Sequence, residues 1–311
     1  MSLTTRMVVA AGVTAALIFA KTRFDNGDHE FDFDSDNSGH RTTEWTWQGE
    51  VPAGQWARIR NLNGAIKVES APGDELRVVA IKRWNRGNPD HVRIVTNKRD
   101  SDGDVTICAL WGRGARCAED GYKSRNKRSM WGKMFGGKSD VSVLFKVAVP
   151  RGVKLDATTV NGEITILDVG EAVRASTVNG AIKAMTARGP LDASTVNGSI
   201  TARVDSLVGD AGVTLSTVNG SVTAELPDQI NAVIDLSTVN GKFWTNYPVN
   251  ASSEKHQRRL HATLGNGGPE LKLSTVNGSV TLKKMVVNHH RTVVTQEQNQ
   301  TVVRVQKVVN P

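Results

Sequence analysis

Aromatic residues are scarce in this chain: they make up 5% of 311 positions, with only two tyrosines, while glycine occurs 29 times. Large side chains usually fill a single globular centre, so this composition suits small, stacked coils better. Cysteine is nearly absent. Cys108 and Cys117 are the only pair, and they lack the Cys-x-x-Cys spacing and nearby ligands of a metal or redox site. In an exported chain an even pair reads most simply as a disulfide closing a short loop. The formal charge of +8 is moderate and spread along the chain, so charge alone does not argue for nucleic acid and no specific nucleic-acid partner is expected. A full membrane-spanning run is also missing. Met7 to Ala20 is apolar and uncharged behind Arg6, but a span needs about 20 residues. Residues 1–20 therefore read as a removed secretion signal or as a short retained anchor.

What the chain has in abundance is Thr-Val-Asn-Gly. The motif ends at Gly162, Gly180, Gly198, Gly220, Gly241 and Gly278, and a relative, Asn61-Leu62-Asn63-Gly64, precedes them. Successive asparagines are 18, 18, 22, 21 and 37 residues apart. The last gap is about two periods, with Gly265-Asn266-Gly267 as a degenerate copy between. A fixed period of this size marks a repeat architecture in which one period is one structural unit. Apolar residues alternate on both sides of each motif, as in Leu191-Asp192-Ala193-Ser194 and Ser199-Ile200-Thr201-Ala202, which reads as strand, corner, strand. Asn-Gly suits such a corner because both residues tolerate positive φ.

Two folds use these elements: a parallel β-solenoid with coils of about 18–22 residues, and a meander in which each Asn-Gly closes a hairpin. Two details favour the solenoid. The valine before each asparagine would face mostly polar partners across a hairpin turn, and a buried corner explains it better. Asp156, Arg174 and Asp192, each five residues before an asparagine, form an alternating charge ladder only if neighbouring repeats lie one strand spacing apart, about 4.8 Å. In that fold Asn63, Asn161, Asn179, Asn197, Asn219, Asn240 and Asn277 stack as structural corners, their amides bonding up the column.

The rest of the chain divides around these coils. Residues 21–41 are polar and acidic and read as a disordered linker. Residues 42–150 hold strand-like segments and read as an irregular β section capping the solenoid, since an open coil end exposes unpaired strand edges. Within it, residues 111–140 are basic, with Arg113, Arg116, Lys123, Arg125, Lys127 and Arg128 interleaved with Trp131 and other aromatics. That loop reads either as a contact surface for anionic lipid or acidic glycan or as a solvated insertion above a disulfide. Residues 151–285 are the regular coils, with a polar surface loop from Pro248 to Leu264, and 286–311 form a last strand or a tail.

Three tempting motifs fail on their context. Gly132 to Ser139 satisfies the phosphate-loop pattern, but no helix follows it. Asp34 to Gly39 imitates the start of a calcium loop that lacks its final glutamate. His256 and His261 carry no metal signature. No cofactor and no metal is expected.

The Val-Asn-Gly corners, the lead-in Val147-Ala148-Val149-Pro150-Arg151-Gly152 and the exported start together resemble the bacterial "putative adhesin" family of β-strand-repeat proteins, a domain of unknown function. The resemblance covers roughly residues 44 to 285. It implies a cell-envelope or secreted β-solenoid and brings no catalytic residues with it. The expected function is a non-enzymatic, adhesin-like surface in the periplasm, on the cell surface or secreted, with a glycan, an anionic lipid or an envelope protein as partner. A membrane-tethered envelope-stress sensor using the basic loop is the alternative. A glycan-active enzyme is the third reading, because Asp156 and Asp192 would stand two coils apart, but Arg174 lies between them.

Overall fold

The computed structural model describes residues 40–112, 114–118, 121–124, 140–186, 188, 190–207, 212–249, 258–285, 290–297 and 300–307. The expected signal or anchor and nearly all of the acidic linker lie outside these residues. So do Arg113, Arg125, Lys127, Arg128, Trp131, His256 and the phosphate-loop look-alike. The chain divides into two compact units, Gly39–Val286 and a second formed by Met1–Ser38 with Val287–Pro311. In the second unit, His290–Glu297 pairs antiparallel with Gln300–Lys307, so the expected strand or tail at 286–311 contains a hairpin of its own.

The larger unit is a parallel β-solenoid built on two ten-stranded sheets. Each regular coil runs up a strand of the lead-in sheet, turns at Asn-Gly, and runs along a strand of the lead-out sheet. Val173–Asn179, Leu191–Asn197 and Val213–Asn219 are successive lead-in strands. Ile182–Thr186, Ile200–Val204 and Val222–Leu226 are the lead-out strands that follow them. The lead-out strand begins three residues after its asparagine in each of these coils, so the difference between 18- and 22-residue periods falls in the opposite corner. Strands pair residue for residue, Thr195 with Thr177 and Thr217, Asn197 with Asn179 and Asn219. This register excludes the meander.

Strand alternation puts Ile164, Ile182, Ile200, Val222 and Val280 in one fully buried column and Leu155, Val173, Leu191, Val213 and Leu271 in another. Both sheets contribute to one hydrophobic cluster. Each such side chain contributes about 1.5–3 kcal/mol on burial. The shortage of aromatics follows from this geometry, because a core only two sheets thick is filled by one aliphatic side chain from each side.

The motif valine is on the other face. Val178, Val196, Val218, Val276 and Val239 are 38–49% exposed, which corrects the expectation of a buried corner. The threonine before it takes the inward position: Thr177 Oγ1 donates to Gly162 O at 3.1 Å and Thr195 Oγ1 to Gly180 O at 3.0 Å. The valines form an exterior column of β-branched side chains one strand spacing apart.

The reason for glycine also differs from the expectation. Among the described residues only Asp168 is a non-glycine with positive φ, and of the corner glycines only Gly64 (φ 120) and Gly278 (φ 156) have it. Close approach sets the requirement instead. A Cβ on Gly180, Gly198 or Gly220 would lie 1.9–2.1 Å from the carbonyl oxygen of the glycine on the preceding coil.

Chain order and spatial order part company at both ends. Glu270–Asn277 lies between Val213–Asn219 and Ala232–Asn240, so the last coil in sequence is seated between the two before it. Among the described residues of the 37-residue gap there is therefore no hidden coil. Arg259–Leu264 instead turns back antiparallel against Ala232–Asn240, and Gly265-Asn266-Gly267 is the turn after it, with Asn266 N bonded to Asn231 Oδ1 at 2.9 Å. At the other end Trp56–Arg60 and Ile66–Ser70 already form a coil in register with Lys154–Thr158 and Ile164–Leu167. Residue 150 is thus not a structural boundary. Val105–Trp111 and Ser142–Val149 lie outside that coil, and antiparallel Val92–Lys98, Glu75–Trp84 and Arg41–Glu50 close the end. Trp45, Trp47, Trp84 and Trp111 pack against the core there.

Candidate binding surface

Because register is exact along the lead-in sheet, each outward position becomes a column. Ser176, Ser194, Ser216, Ser274 and Ser237 form one, and Ser194 Oγ donates to Ser176 Oγ at 3.2 Å. The valines form the next, and the asparagines line the corner. In space the asparagine order is 161, 179, 197, 219, 277, 240. Each Nδ2 donates to the Oδ1 of the preceding coil at 2.8–2.9 Å. All five bonds point the same way, so each polarises the next. Asn63 pairs with Asn161 as an isolated bridge, and its Nδ2 donates to Val141 O at 3.0 Å. The six other expected corners are therefore all in this one line, and the Asn63 amide bonds to Val141 instead.

The charge column has the expected register, Asp156 opposite Arg174 and Arg174 opposite Asp192, but its partners are different. Asp156 receives both terminal nitrogens of Arg60, at 2.7 and 2.6 Å. Arg174 instead lies over the Trp56 ring, 4.6 Å from its centroid, with Lys154 at 5.8 Å and Arg58 at 5.9 Å. Arg58 is neutralised by Asp104 at 2.6 Å. Burial pushes Asp104 up, but the Trp56 N–H and the guanidinium groups of Arg58 and Arg99 outweigh it and hold the carboxyl below its ordinary range. At the far end the hydrogen-bonded guanidinium of Arg259 does the same for Asp235 against the effect of burial. This cation and indole cluster escaped the sequence reading, since Trp56 and Arg174 are 118 positions apart in the chain and only coil stacking brings them together.

In sequence the basic segment lies between the lead-in strand Val105–Trp111 and the lead-out strand Ser142–Val149. Cys108 and Cys117 are disulfide-bonded, which holds the hairpin of Ala115–Ala118 and Gly121–Ser124 against the lead-in sheet. Arg93 Nη2 donates to Ala115 O at 3.4 Å. Arg116 is exposed, and Lys123 stands opposite it in the register. The segment's other end is tied down by Asp140, whose carboxylate accepts from the backbone N–H groups of Asn85, Arg86 and Gly87. These bonds, led by that of Arg86, hold the Asp140 carboxyl below its ordinary range.

On the lead-out sheet, burial raises Glu69 to about 7 in spite of nearby Lys146. Among the described residues no group of three or more His, Cys, Asp or Glu side chains is placed to hold a metal, and no helix is long and apolar enough to cross a membrane.

No curated protein matches this chain. Two solved structures similar to it are a "putative cell adhesion protein" from Clostridium sporogenes and a "putative adhesin" from Bacteroides fragilis. The first is 14% identical with a TM-score of 0.48, over 79% of this chain and 100% of the other. The second is 13% identical with a TM-score of 0.34, over 78% and 97%. Residues 57–283, almost the whole solenoid, match the Toastrack DUF4097 family, and the chain belongs to it.

Proposed function

We propose that this protein is a non-enzymatic, adhesin-like component of the cell envelope or exterior, and that the outer face of the lead-in sheet is its binding surface. The observation that carries this is the set of serine, valine and asparagine columns, held in register over successive coils. Such a face offers hydroxyl, methyl and amide rows that repeat every strand spacing and suit a polymeric partner. The disulfide fits an oxidising compartment. A hydrolytic reading has little support in the carboxylates: Asp156 is occupied by Arg60, and Arg174 stands between it and Asp192.

The test is binding of the purified chain to whole bacterial cells and to immobilised envelope polysaccharides. Replacing Val196 and Val218 together by lysine changes the middle of the face without touching the core, and binding should fall while the circular dichroism spectrum stays unchanged. Wild-type protein that binds neither cells nor polysaccharide, or that degrades the polysaccharide, would sink the reading. A second reading, a tethered sensor of anionic surfaces, rests on the hairpin pinned by Cys108–Cys117 with Arg116 opposite Lys123. It requires salt-sensitive vesicle binding that is lost when Arg116 is replaced by glutamine.

A further inference from the structure

The cations around Trp56 are unevenly compensated. Trp56 is fixed by its backbone N–H, which donates to Asp104 Oδ1 at 2.7 Å, and Asp104 also neutralises Arg58. Asp156, two residues along from Lys154 and opposite Arg174, is taken up by Arg60, and Asp192, opposite Arg174 on the other side, makes no ion pair with it. Among the described residues, no carboxylate forms an ion pair with Lys154 or Arg174; the indole is the group both of them face. A ring quadrupole attracts a cation only weakly at an exposed site, and two cations sharing one indole repel each other. An anion placed between them relieves that repulsion. Arg174 offers a planar fork for two oxygens and Lys154 a point charge beside it.

We infer that Lys154 and Arg174, mounted on Trp56, bind the sulfate or carboxylate group of an acidic polysaccharide whose chain continues over the serine and valine columns. This rests on the adhesin-like reading and gives it a ligand class and an anchor point. Charge complementarity selects the acid group. The neighbouring columns select the polymer: from Arg174, the outward positions along its strand lead to Ser176 and then to exposed Val178, which match the hydroxyls and the apolar C–H faces of sugar rings. A bilayer is the poorer fit. Trp56 is half-buried beneath Arg174 and cannot be inserted into lipid.

The experiment uses the full, disulfide-intact chain and calorimetric titration with dextran sulfate, polygalacturonate, neutral dextran and phosphatidylglycerol vesicles at several salt concentrations. Wild-type protein should bind at least one of the two polyanions and not neutral dextran. Replacing Lys154 and Arg174 together by glutamine should weaken that binding tenfold or more and lower the salt slope by about two charges. The single change Lys154→Glu, at a partly exposed position, gives the same direction with less risk to the fold. Polyanion affinity unchanged in both variants would overturn the site. So would binding of vesicles alone. Binding to cells or neutral glycans that survives both variants would remove this site and leave the adhesin-like reading standing, whereas a chain that binds none of these partners loses both.

Discussion

Glycine at each corner is required by the distance between coils, and Gly198→Ala tests this directly. A Cβ there would lie 2.0 Å from Gly180 O and 2.5 Å from its carbon, where ordinary contacts are 3.4–4 Å. The coils would have to separate by more than about 1 Å out of a strand spacing of about 4.8 Å. Three bonds cross that gap at the corner: Asn197 Nδ2 to Asn179 Oδ1 at 2.8 Å, Thr195 Oγ1 to Gly180 O at 3.0 Å and Gly180 N to Asn197 O at 3.0 Å. At about 1 kcal/mol each, with about 1–3 kcal/mol for overpacking, the expected cost is roughly 4–6 kcal/mol. For a unit of this size that corresponds to a fall in Tm of roughly 10–20 °C. Gly170→Ala is the control, because nothing lies within 4 Å of its Cβ position and its φ is not positive; it should stay within about 0.5 kcal/mol. Thermal and denaturant unfolding of the two variants, with calorimetry as a check on cooperativity, decides the matter. Equal shifts for Gly198→Ala and Gly170→Ala would refute the close-approach argument.

Other outcomes follow from the same geometry. Asn197→Ala interrupts the amide line at its middle and removes one bond on each side, so it should cost about 1–2 kcal/mol in urea unfolding, and more than the same change at Asn240, which ends the line. Reduction, or Cys117→Ala, should cost about 2–3 kcal/mol from loop entropy and should open the hairpin to proteolysis at residues 115–124 before the coils unfold. Glu69, with its folded-state value raised from 4.5 to about 7, binds more protons folded than unfolded between those values. Stability should therefore fall as pH rises from about 4.5 to 7, by on the order of 1 kcal/mol after solvent screening, and Glu69→Gln should abolish that part of the pH profile. A chain ended at residue 269 lacks the seated coil between Val213–Asn219 and Ala232–Asn240, so hydrogen exchange should show both flanking coils losing protection, and not only one terminal repeat.

Much of the architecture was legible because it is local. Alternation in segments such as Leu191–Asn197 fixes which side chains can share a face, Asn-Gly marks where the chain turns, and a constant period forces like to stack on like. The register of Asp156, Arg174 and Asp192 was legible for the same reason. The charge pairing was not, because Arg60 reaches Asp156 diagonally from a neighbouring coil. The exposure of the valines was misread because β-branched residues suggest burial, whereas a threonine hydroxyl that can reach a glycine carbonyl took the inward place.

The sequence by itself determined the coil: its two strands, its length, its Asn-Gly corner and the aliphatic residues that can fill a thin core. Tertiary structure decided which coil lies beside which. Six nearly identical Thr-Val-Asn-Gly corners can each stack on any other, so local pattern leaves their order degenerate. The order is settled by the length of the opposite corners and by the need to close both ends, where antiparallel strands cover Val105–Trp111, Ser142–Val149 and Ala232–Asn240. The Trp56, Lys154 and Arg174 cluster belongs to that second kind of information. Its members come from three different coils, and nothing short of their stacking brings two cations onto one indole.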